Sequence, residues 1–192
     1  MKNSYYPDPH AELVDRCKMG ERGAQYQLYK LYSKAMFNVC MRVLNHTEEA
    51  EDVLQEAFID AFSHLHQFRH QSTFGAWLKQ IVVNKAVSQL RARKVQWVQI
   101  ETLRNPDEDY DLEYVEDAES DLVDLNVDRI REAIRILPAG YRVVLSLYLF
   151  EGYDHEEISQ ILGISEGTSR SQYMRAKQKL IEIVKRLSKQ TG

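Results

Sequence analysis

Five side chains near the C-terminus fall on one face of a predicted helix, and all but one of them are cationic or form hydrogen bonds. These side chains are Arg170, Ser171, Met174, Arg175 and Lys177. The opposite face of the same helix carries Ser169, Tyr173, Ala176 and Leu180, spaced four, three and four residues apart. A helix that packs by one face and is basic on the other suits the DNA major groove, where such side chains meet phosphates and base edges.

A shorter helix is predicted directly before it, because Ile158, Ile161 and Leu162 recur at i, i+3 and i+4. Gly163 should end this helix, since glycine takes the left-handed conformation without a Cβ penalty. Ser165 can then cap the following helix, with Glu166 in its first turn. The whole pattern predicts a helix-turn-helix. The alternative is an ordinary helical hairpin with a solvated charged face.

The charge of the chain is unevenly distributed. The net charge of -4 over 192 residues argues at first against a nucleic-acid binder, which needs a basic surface. However, residues 79–94 contain five Lys or Arg and no acid, and residues 168–189 contain seven against one acid. Between them, residues 101–124 contain eleven acids against one Arg. The chain therefore consists of two basic modules joined by an acidic segment.

The periodicity predicts an all-α fold of two small helical domains joined by an acidic flexible linker. A loose tail is expected over residues 1–10, the first domain over 11–95, the linker over 96–125 and the helix-turn-helix domain over 126–192. The residues predicted to be buried include Leu28, Leu31, Val127 and Tyr148. Cys17 and Cys40 are expected to be reduced core residues. With no membrane span and no signal sequence in view, we expect a soluble, cytoplasmic protein without membrane insertion.

A central helix of the first domain has an acidic outer face. Thr47 is its predicted N-cap, with Glu48 and Glu49 in the first turn. Seven apolar residues from Ala50 to Leu65 should face the core, which leaves an opposite face made of Asp52, Gln55, Glu56 and Ile59. Such a face is usually solvated surface. It also has the composition of a docking surface for a basic partner.

A break at residues 67–73 precedes the next helix, which Ser72 or Thr73 can cap. The aromatic residues around it, Phe68, Phe74 and Trp77, are first of all core candidates. His66 and His70 are four residues apart, but without a carboxylate or thiolate set they do not predict a metal site. Neither a nucleophile elbow nor a phosphate-binding glycine loop is present. We therefore expect no enzyme, no metal and no cofactor.

Three motifs in this order resemble the extracytoplasmic-function (ECF) group of bacterial RNA polymerase sigma factors. The first runs from Ala50 to Phe58. The second is Phe68-Arg69 followed by residues 72–78 and Asn84, and the third is Leu137-Pro138 leading to the helix-turn-helix with Gly167-Thr168. The resemblance covers nearly all of residues 12–187. It implies an alternative sigma factor that binds core RNA polymerase, recognises the minus-ten and minus-thirty-five promoter elements and starts transcription.

The resemblance also assigns roles to individual residues. Core polymerase, through its β′ coiled coil and β subunit, would be bound by Asp52, Gln55 and Glu56. The minus-ten element would be melted and bound by Phe68, Arg69, Ser72, Thr73, Phe74, Lys79, Asn84, Lys85 and Arg91. The minus-thirty-five element would be contacted by Thr168, Arg170, Ser171, Met174, Arg175 and Lys177. Arginine can donate two hydrogen bonds to a guanine edge, and methionine can pack on a thymine methyl. The family further implies promoter DNA and an anti-sigma factor as partners.

Some positions depart from the family pattern. Asp60 and Gln80 occupy positions where many relatives carry basic residues, Ser169 replaces a β-branched residue and Gln172 replaces a frequent arginine. These changes leave the promoter sequence open. A second function also stays open, namely a stand-alone regulator that binds DNA by its helix-turn-helix alone. A sigma factor needs the face formed by Asp52, Gln55 and Glu56, whereas such a regulator does not.

Overall fold

The computed structural model describes residues 8–93 and 127–189, which belong to two compact units that divide after Arg93. The linker predicted over residues 96–125 lies outside the described residues. Every regular element in the described ranges is helical, which confirms the predicted all-α fold. Within these ranges, no helix has the combination of length and hydrophobicity that crossing a bilayer requires.

Over residues 8–93 the first unit contains four α-helices and one short 3-10 helix. They are α1 (Ala11–Lys18), α2 (Arg22–Leu44), α3 (Thr47–Ser63), the 3-10 helix Leu65–Gln67 and α4 (Phe74–Ala92). Helices α2, α3 and α4 pack against one another and α1 packs on α2, around fully buried side chains that include Leu28, Phe74 and Leu78. At the start of α4 the Thr73 hydroxyl accepts a hydrogen bond from the Ala76 amide at 3.2 Å, as predicted.

Within residues 127–189 the second unit contains four helices, α5 (Val127–Ile136), α6 (Ala139–Leu149), α7 (His155–Leu162) and α8 (Glu166–Lys189). The long helix α8 packs on the other three, and the buried cluster includes Leu137, Leu145 and Ala176. As predicted, Gly163 ends α7 in the left-handed conformation with φ 66°. The Ser165 hydroxyl caps α8, because its Oγ accepts a hydrogen bond from the Thr168 amide at 3.0 Å.

One predicted helix boundary and three predictions of buried side chains were wrong. Thr47 is the first residue of α3, and His46 holds the N-cap position. Leu31 is 52% exposed because it lies to one side of the buried stripe of α2, and Val127 is 59% exposed at the first position of α5. Tyr148 is 37% exposed because its ring packs against the half-buried rings of His155 and Tyr173 and not within the core.

Candidate nucleic-acid interface

The predicted docking face lies on the outer side of α3. Asp52, Gln55 and Glu56 are all exposed there, on a helix whose inner side buries Val53, Leu54, Ala57 and Phe58. Ile59 completes this face and is 65% exposed. Because the inner side is packed against α2 and α4, the acidic groups are presented on a rigid element. The face therefore combines negative charge with one apolar side chain, which suits a basic helical partner.

Lys85 connects this face to the residues predicted to contact the minus-ten element. Its ammonium lies 2.7 Å from Asp60 Oδ2 and 3.4 Å from Glu56 Oε2. The hydrogen bond that the Lys85 ammonium donates to Asp60 is the main reason why the pKa of Lys85 is raised above its usual value. The predicted phosphate contact of Lys85 thus starts from an ammonium that already has two carboxylate partners. Both pairs are partly solvated, so each stabilises the fold by only about 0–1 kcal/mol.

The predicted melting residues surround an irregular segment between the 3-10 helix and α4. The family resemblance implies that residues 68–74 capture a base flipped out of the minus-ten element, and we call these residues the base-capture loop. Phe68 is 4% exposed and Phe74 is fully buried, with ring centroids 6.1 Å apart, and Trp77 lies 5.3 Å and 5.9 Å from them. Arg69 and Ser72 are exposed at the surface of the loop. In this conformation the two phenylalanines form the floor of the loop, while polar side chains form its surface.

Two groups from the N-terminal segment hold the ends of the base-capture loop. The Phe74 amide donates to Asp8 Oδ2 at 2.6 Å, and the Lys18 ammonium donates to the Phe68 carbonyl at 2.9 Å. Asp8 belongs to the segment expected to be a loose tail, so its contact was missed. The partners are 66 and 50 residues apart in the chain, and no local pattern reveals such a pairing. The sequence offers one signal for such a contact, which is that the first backbone amides of α4 have no partner within the helix.

The remaining minus-ten candidates are distributed around α4. Asn84 and Arg91 are exposed and seven residues apart, which places them on the same side of the helix. Lys79 is half-buried on another side. The structure therefore brings Asn84 and Arg91 together and separates Lys79 from them.

The outer face of α8 is arranged as the sequence predicted. Arg170, Ser171, Met174, Arg175 and Lys177 are all exposed, whereas Ser169 and Ala176 are buried on the inner face. Some of the outer groups already have intramolecular partners. Arg170 forms an ion pair with Glu166, and Ser171 Oγ donates to the Thr168 carbonyl at 3.0 Å. The half-buried Thr168 has its hydroxyl 2.8 Å from Ser165 Oγ.

Gln172 is not part of this outer face. It is 4% exposed, and its amide oxygen has no hydrogen-bond partner among the described residues. The position that replaces a frequent arginine of the family therefore points inward here. Any base contact of α8 has to come from the neighbouring exposed positions.

A polar and aromatic cluster joins the two helices of the helix-turn-helix. His155 Nδ1, at the start of α7, lies 2.9 Å from the Ser169 hydroxyl on α8. The His155 ring stacks on Tyr148 with centroids 4.7 Å apart and meets Tyr173 edge-on at 5.7 Å. Burial, followed by the positive charge of Arg170, lowers the pKa of His155 below its usual value. Ser169 therefore replaces an apolar packing contact with a hydrogen bond between the two helices.

A second polar contact lies at the start of α7, and it was not predicted from the sequence. Asp154 Oδ1 accepts from the Glu157 amide at 2.8 Å, while the Asp154 amide donates to Glu157 Oε2 at 2.9 Å. The reciprocal pair is a capping box, and its D-x-x-E pattern is visible in the sequence. Within the described ranges, no group of three or more His, Cys, Asp and Glu side chains is placed to hold a metal ion.

Comparison with known proteins identifies the family. Residues 28–95 match the model of sigma-70 region 2, and residues 128–180 match the model of sigma-70 region 4. The RNA polymerase sigma-H factor of Pseudomonas aeruginosa is 32% identical over 180 residues, covering 87% of this chain and 89% of that protein. The ECF RNA polymerase sigma-E factor of Haemophilus influenzae is 30% identical over 171 residues, covering 86% and 90%. This chain belongs to the ECF sigma factors.

Two solved structures share the fold of this ECF sigma factor. One is the sigma factor RpoE of Bartonella quintana in complex with the anti-sigma factor NepR, with a TM-score of 0.54, 22% identity and coverage of 83% of this chain and 96% of that chain. The other is CnrH in complex with the cytosolic domain of CnrY, also with a TM-score of 0.54 and 22% identity, covering 91% and 96%. At this level of identity the likeness concerns the fold alone.

Proposed function

We propose that this ECF sigma factor is a dissociable polymerase subunit whose first unit docks on core enzyme and opens the minus-ten element, while its second unit binds the minus-thirty-five element. The observation that carries the proposal is the outer face of α3. Asp52, Gln55 and Glu56 are exposed there on a rigid helix within the range that matches sigma-70 region 2. A regulator working by its helix-turn-helix alone has no use for this face.

Docking follows from charge complementarity. Carboxylates that face a Lys- and Arg-rich helix pair accelerate association and set its register, although rim charges add little to affinity individually. Ile59, which is exposed on the same face, supplies an apolar contact beside the acidic groups. The partner surface we propose is the β′ coiled coil of core polymerase, with a further contact to the β subunit.

Promoter opening requires a base to leave the duplex, which costs a few kcal/mol of unstacking. The base-capture loop offers polar groups at its surface, Arg69 and Ser72, above a floor of aromatic rings. Basic residues of α4 can neutralise the adjoining phosphates, which positions the strand without specifying its sequence. Asn84 and Arg91, on the same side of α4, extend this surface.

Binding of the minus-thirty-five element belongs to α8. Met174 and Arg175 are exposed on its outer face, the first suited to a thymine methyl and the second to a guanine edge. Thr168, in the first turn of α8, is placed for a phosphate contact. In the alternative, a stand-alone regulator, the first unit would serve for dimerisation or effector sensing, whereas the sigma factor uses it for docking and promoter opening.

The protein acts in the cytoplasm and catalyses no reaction of its own, because its part is to position polymerase and promoter. An anti-sigma factor is its proposed inhibitor. Both solved structures with the same fold are complexes that contain, in one case, an anti-sigma factor by name and, in the other, a cytosolic domain of a second protein. The acidic and apolar docking face is a surface that such an inhibitor would cover.

Titration of core RNA polymerase with the fluorescently labelled chain tests the docking face. Asp52→Ala combined with Gln55→Ala should weaken binding by about tenfold or more, because both acceptor groups leave a desolvated interface. Glu12→Ala, which removes an exposed acid from α1, is the control and should leave the affinity unchanged. Equal affinity of the double variant and the control would rule out docking through α3.

A further inference from the structure

We propose that Asp8 and Lys18 are positioning residues for promoter opening, because they hold the two ends of the base-capture loop. The inference rests on the proposed function of that loop. Neither residue lies among the side chains expected to touch DNA or polymerase. Their role is to fix the conformation in which Arg69 and Ser72 are presented.

The loop has backbone groups that regular structure does not satisfy. It connects a 3-10 helix to α4, so its amides and carbonyls need other partners when they are shielded from water. The Phe68 carbonyl receives the Lys18 ammonium at 2.9 Å, and the Phe74 amide reaches the Asp8 carboxylate at 2.6 Å. Both bonds are charge-assisted and therefore stronger than bonds between neutral groups. One bond holds the first residue of the loop and the other holds the last.

Lys18 makes further contacts that direct it to the loop. Its ammonium is 5.5 Å from the centroid of the Phe68 ring, within the range of a cation–π interaction. It also lies 3.0 Å from His70 Nε2, which is itself 3.0 Å from Asp15 Oδ1. His70 has φ 55°, a left-handed conformation that is unfavourable for a residue with a side chain. The surrounding contacts keep the chain in that turn.

Asp8 is fixed from its other side. Its second carboxylate oxygen accepts from the His10 amide at 2.9 Å, and His10 Nδ1 lies 2.8 Å from the Tyr32 hydroxyl. The Tyr32 ring in turn meets the Phe74 ring edge-on at 5.3 Å. Asp8 is thus tied to the same aromatic cluster that forms the floor of the loop.

The consequence for function is preorganisation. A mobile loop would have to lose conformational freedom each time it captured a base, and this cost would reduce the free energy available for opening the duplex. Because Lys18 of α1 holds one end of the loop and Asp8 holds the other, the loop is ordered before DNA binds. Loss of Lys18 should therefore slow promoter opening and leave the docking of core polymerase unchanged.

The test compares Lys18→Met with Lys30→Met in the full-length protein bound to core polymerase. Lys30 is exposed on α2 and its ammonium lies over Tyr26, so the control removes the same charge away from the loop. A promoter fragment with 2-aminopurine in the minus-ten element reports unstacking by fluorescence. Opening by Lys18→Met should be about tenfold slower or more than by the control, at equal core affinity. Lys18→Arg, which keeps a cationic donor, should recover most of the rate.

Asp8→Ala gives an independent test at the other end of the loop, with Asp8→Asn as the variant that keeps an acceptor. Amide hydrogen exchange of residues 68–74 in the free chain should be faster in Lys18→Met and Asp8→Ala than in the control. Unchanged exchange, or opening at the rate of Lys30→Met, would overturn the inference even if the variants were less stable. If the unmodified chain itself neither bound core polymerase nor opened the fragment, the proposed function would fail instead.

Discussion

His155 is the most informative single side chain of the second unit. It forms the hydrogen bond to Ser169 that joins the two helices of the helix-turn-helix. The ionisable groups that act on it are Arg170, Glu166 and Asp154, while Tyr148 and Tyr173 contact its ring. Because burial is the largest influence, the neutral ring is favoured in the folded protein.

The stability of the protein should consequently depend on the protonation of His155. Its folded-state pKa lies below the usual value of 6.5, so the unfolded chain binds more protons in the window just below that value. The free energy of unfolding should therefore decrease as the pH falls below about 6.5. Above that pH, the protonation of His155 should not change it. Urea unfolding followed by circular dichroism at pH 7.5 and 5.5 measures this loss.

The control separates His155 from the other histidines. His155→Gln should lose less stability between the two pH values than the unmodified protein. His66→Gln, which replaces an exposed histidine of the first unit, should behave like the unmodified protein. An identical pH dependence for all three proteins would show that His155 titrates equally in the folded and unfolded states.

Arg175 should carry base discrimination. Arg175→Ala is expected to reduce the preference of the holoenzyme for its minus-thirty-five sequence by about 1–3 kcal/mol, since a bidentate contact to a base is lost. Lys177→Ala, on the same exposed face, should weaken matched and scrambled sites alike, because a phosphate contact carries no sequence information. Competition between matched and scrambled fragments distinguishes the two effects. If Arg175→Ala lost the same affinity for matched and scrambled fragments, Arg175 would contact phosphate and not a base.

At the scale of helices, much of the second unit could be predicted from local signals. Gly163 and Ser165 mark the turn between α7 and α8, and both act as their residue types suggested. The inner and outer faces of α8 follow from helical periodicity, which also places Gln172, three residues after Ser169, on the buried side despite its polar side chain. Local signals suffice here because caps and stripes depend on residues fewer than five positions apart.

The contacts of the base-capture loop could not be predicted in this way. Asp8 with Phe74, and Lys18 with Phe68, pair across more than half of the first unit, and the pairing exists only after α1 has packed on α2. The prediction that Leu31 is buried was wrong for a related reason. Its spacing from Leu28 fits a helix, but which side of α2 is buried depends on where α3 and α4 lie.

The turn of the helix-turn-helix offers a matched pair of glycine substitutions. Gly163→Ala should destabilise the fold by about 1 kcal/mol, because φ is 66° there and a Cβ is disfavoured in that region. Gly167→Ala should be neutral or stabilising by about 0.5 kcal/mol, since a Cβ on this helical residue would meet only Ser165 Oγ at 3.9 Å. Chemical denaturation of both variants measures the difference. Equal stabilities would mean that the turn relaxes without the left-handed residue.

For the whole molecule, the distribution of charge explains why a protein with a net charge of -4 can act on DNA. The eleven acids of residues 101–124 offset the attraction that the two basic modules have for phosphate. We therefore expect the free chain to bind promoter duplex weakly and the holoenzyme to bind it tightly. Fluorescence anisotropy with a labelled promoter fragment should show at least a tenfold difference in affinity, and tight sequence-specific binding by the free chain would favour the stand-alone regulator.

If the chain confers promoter recognition on RNA polymerase, core enzyme should start transcription at specific promoters only in its presence. Transcription in vitro with purified core enzyme, across a library of upstream fragments, measures this directly. We expect transcripts from a defined subset of fragments only when the chain is present, and strongly reduced transcripts with Asp52→Ala combined with Gln55→Ala. Core enzyme that initiates on the same fragments to the same extent with and without the chain would contradict it.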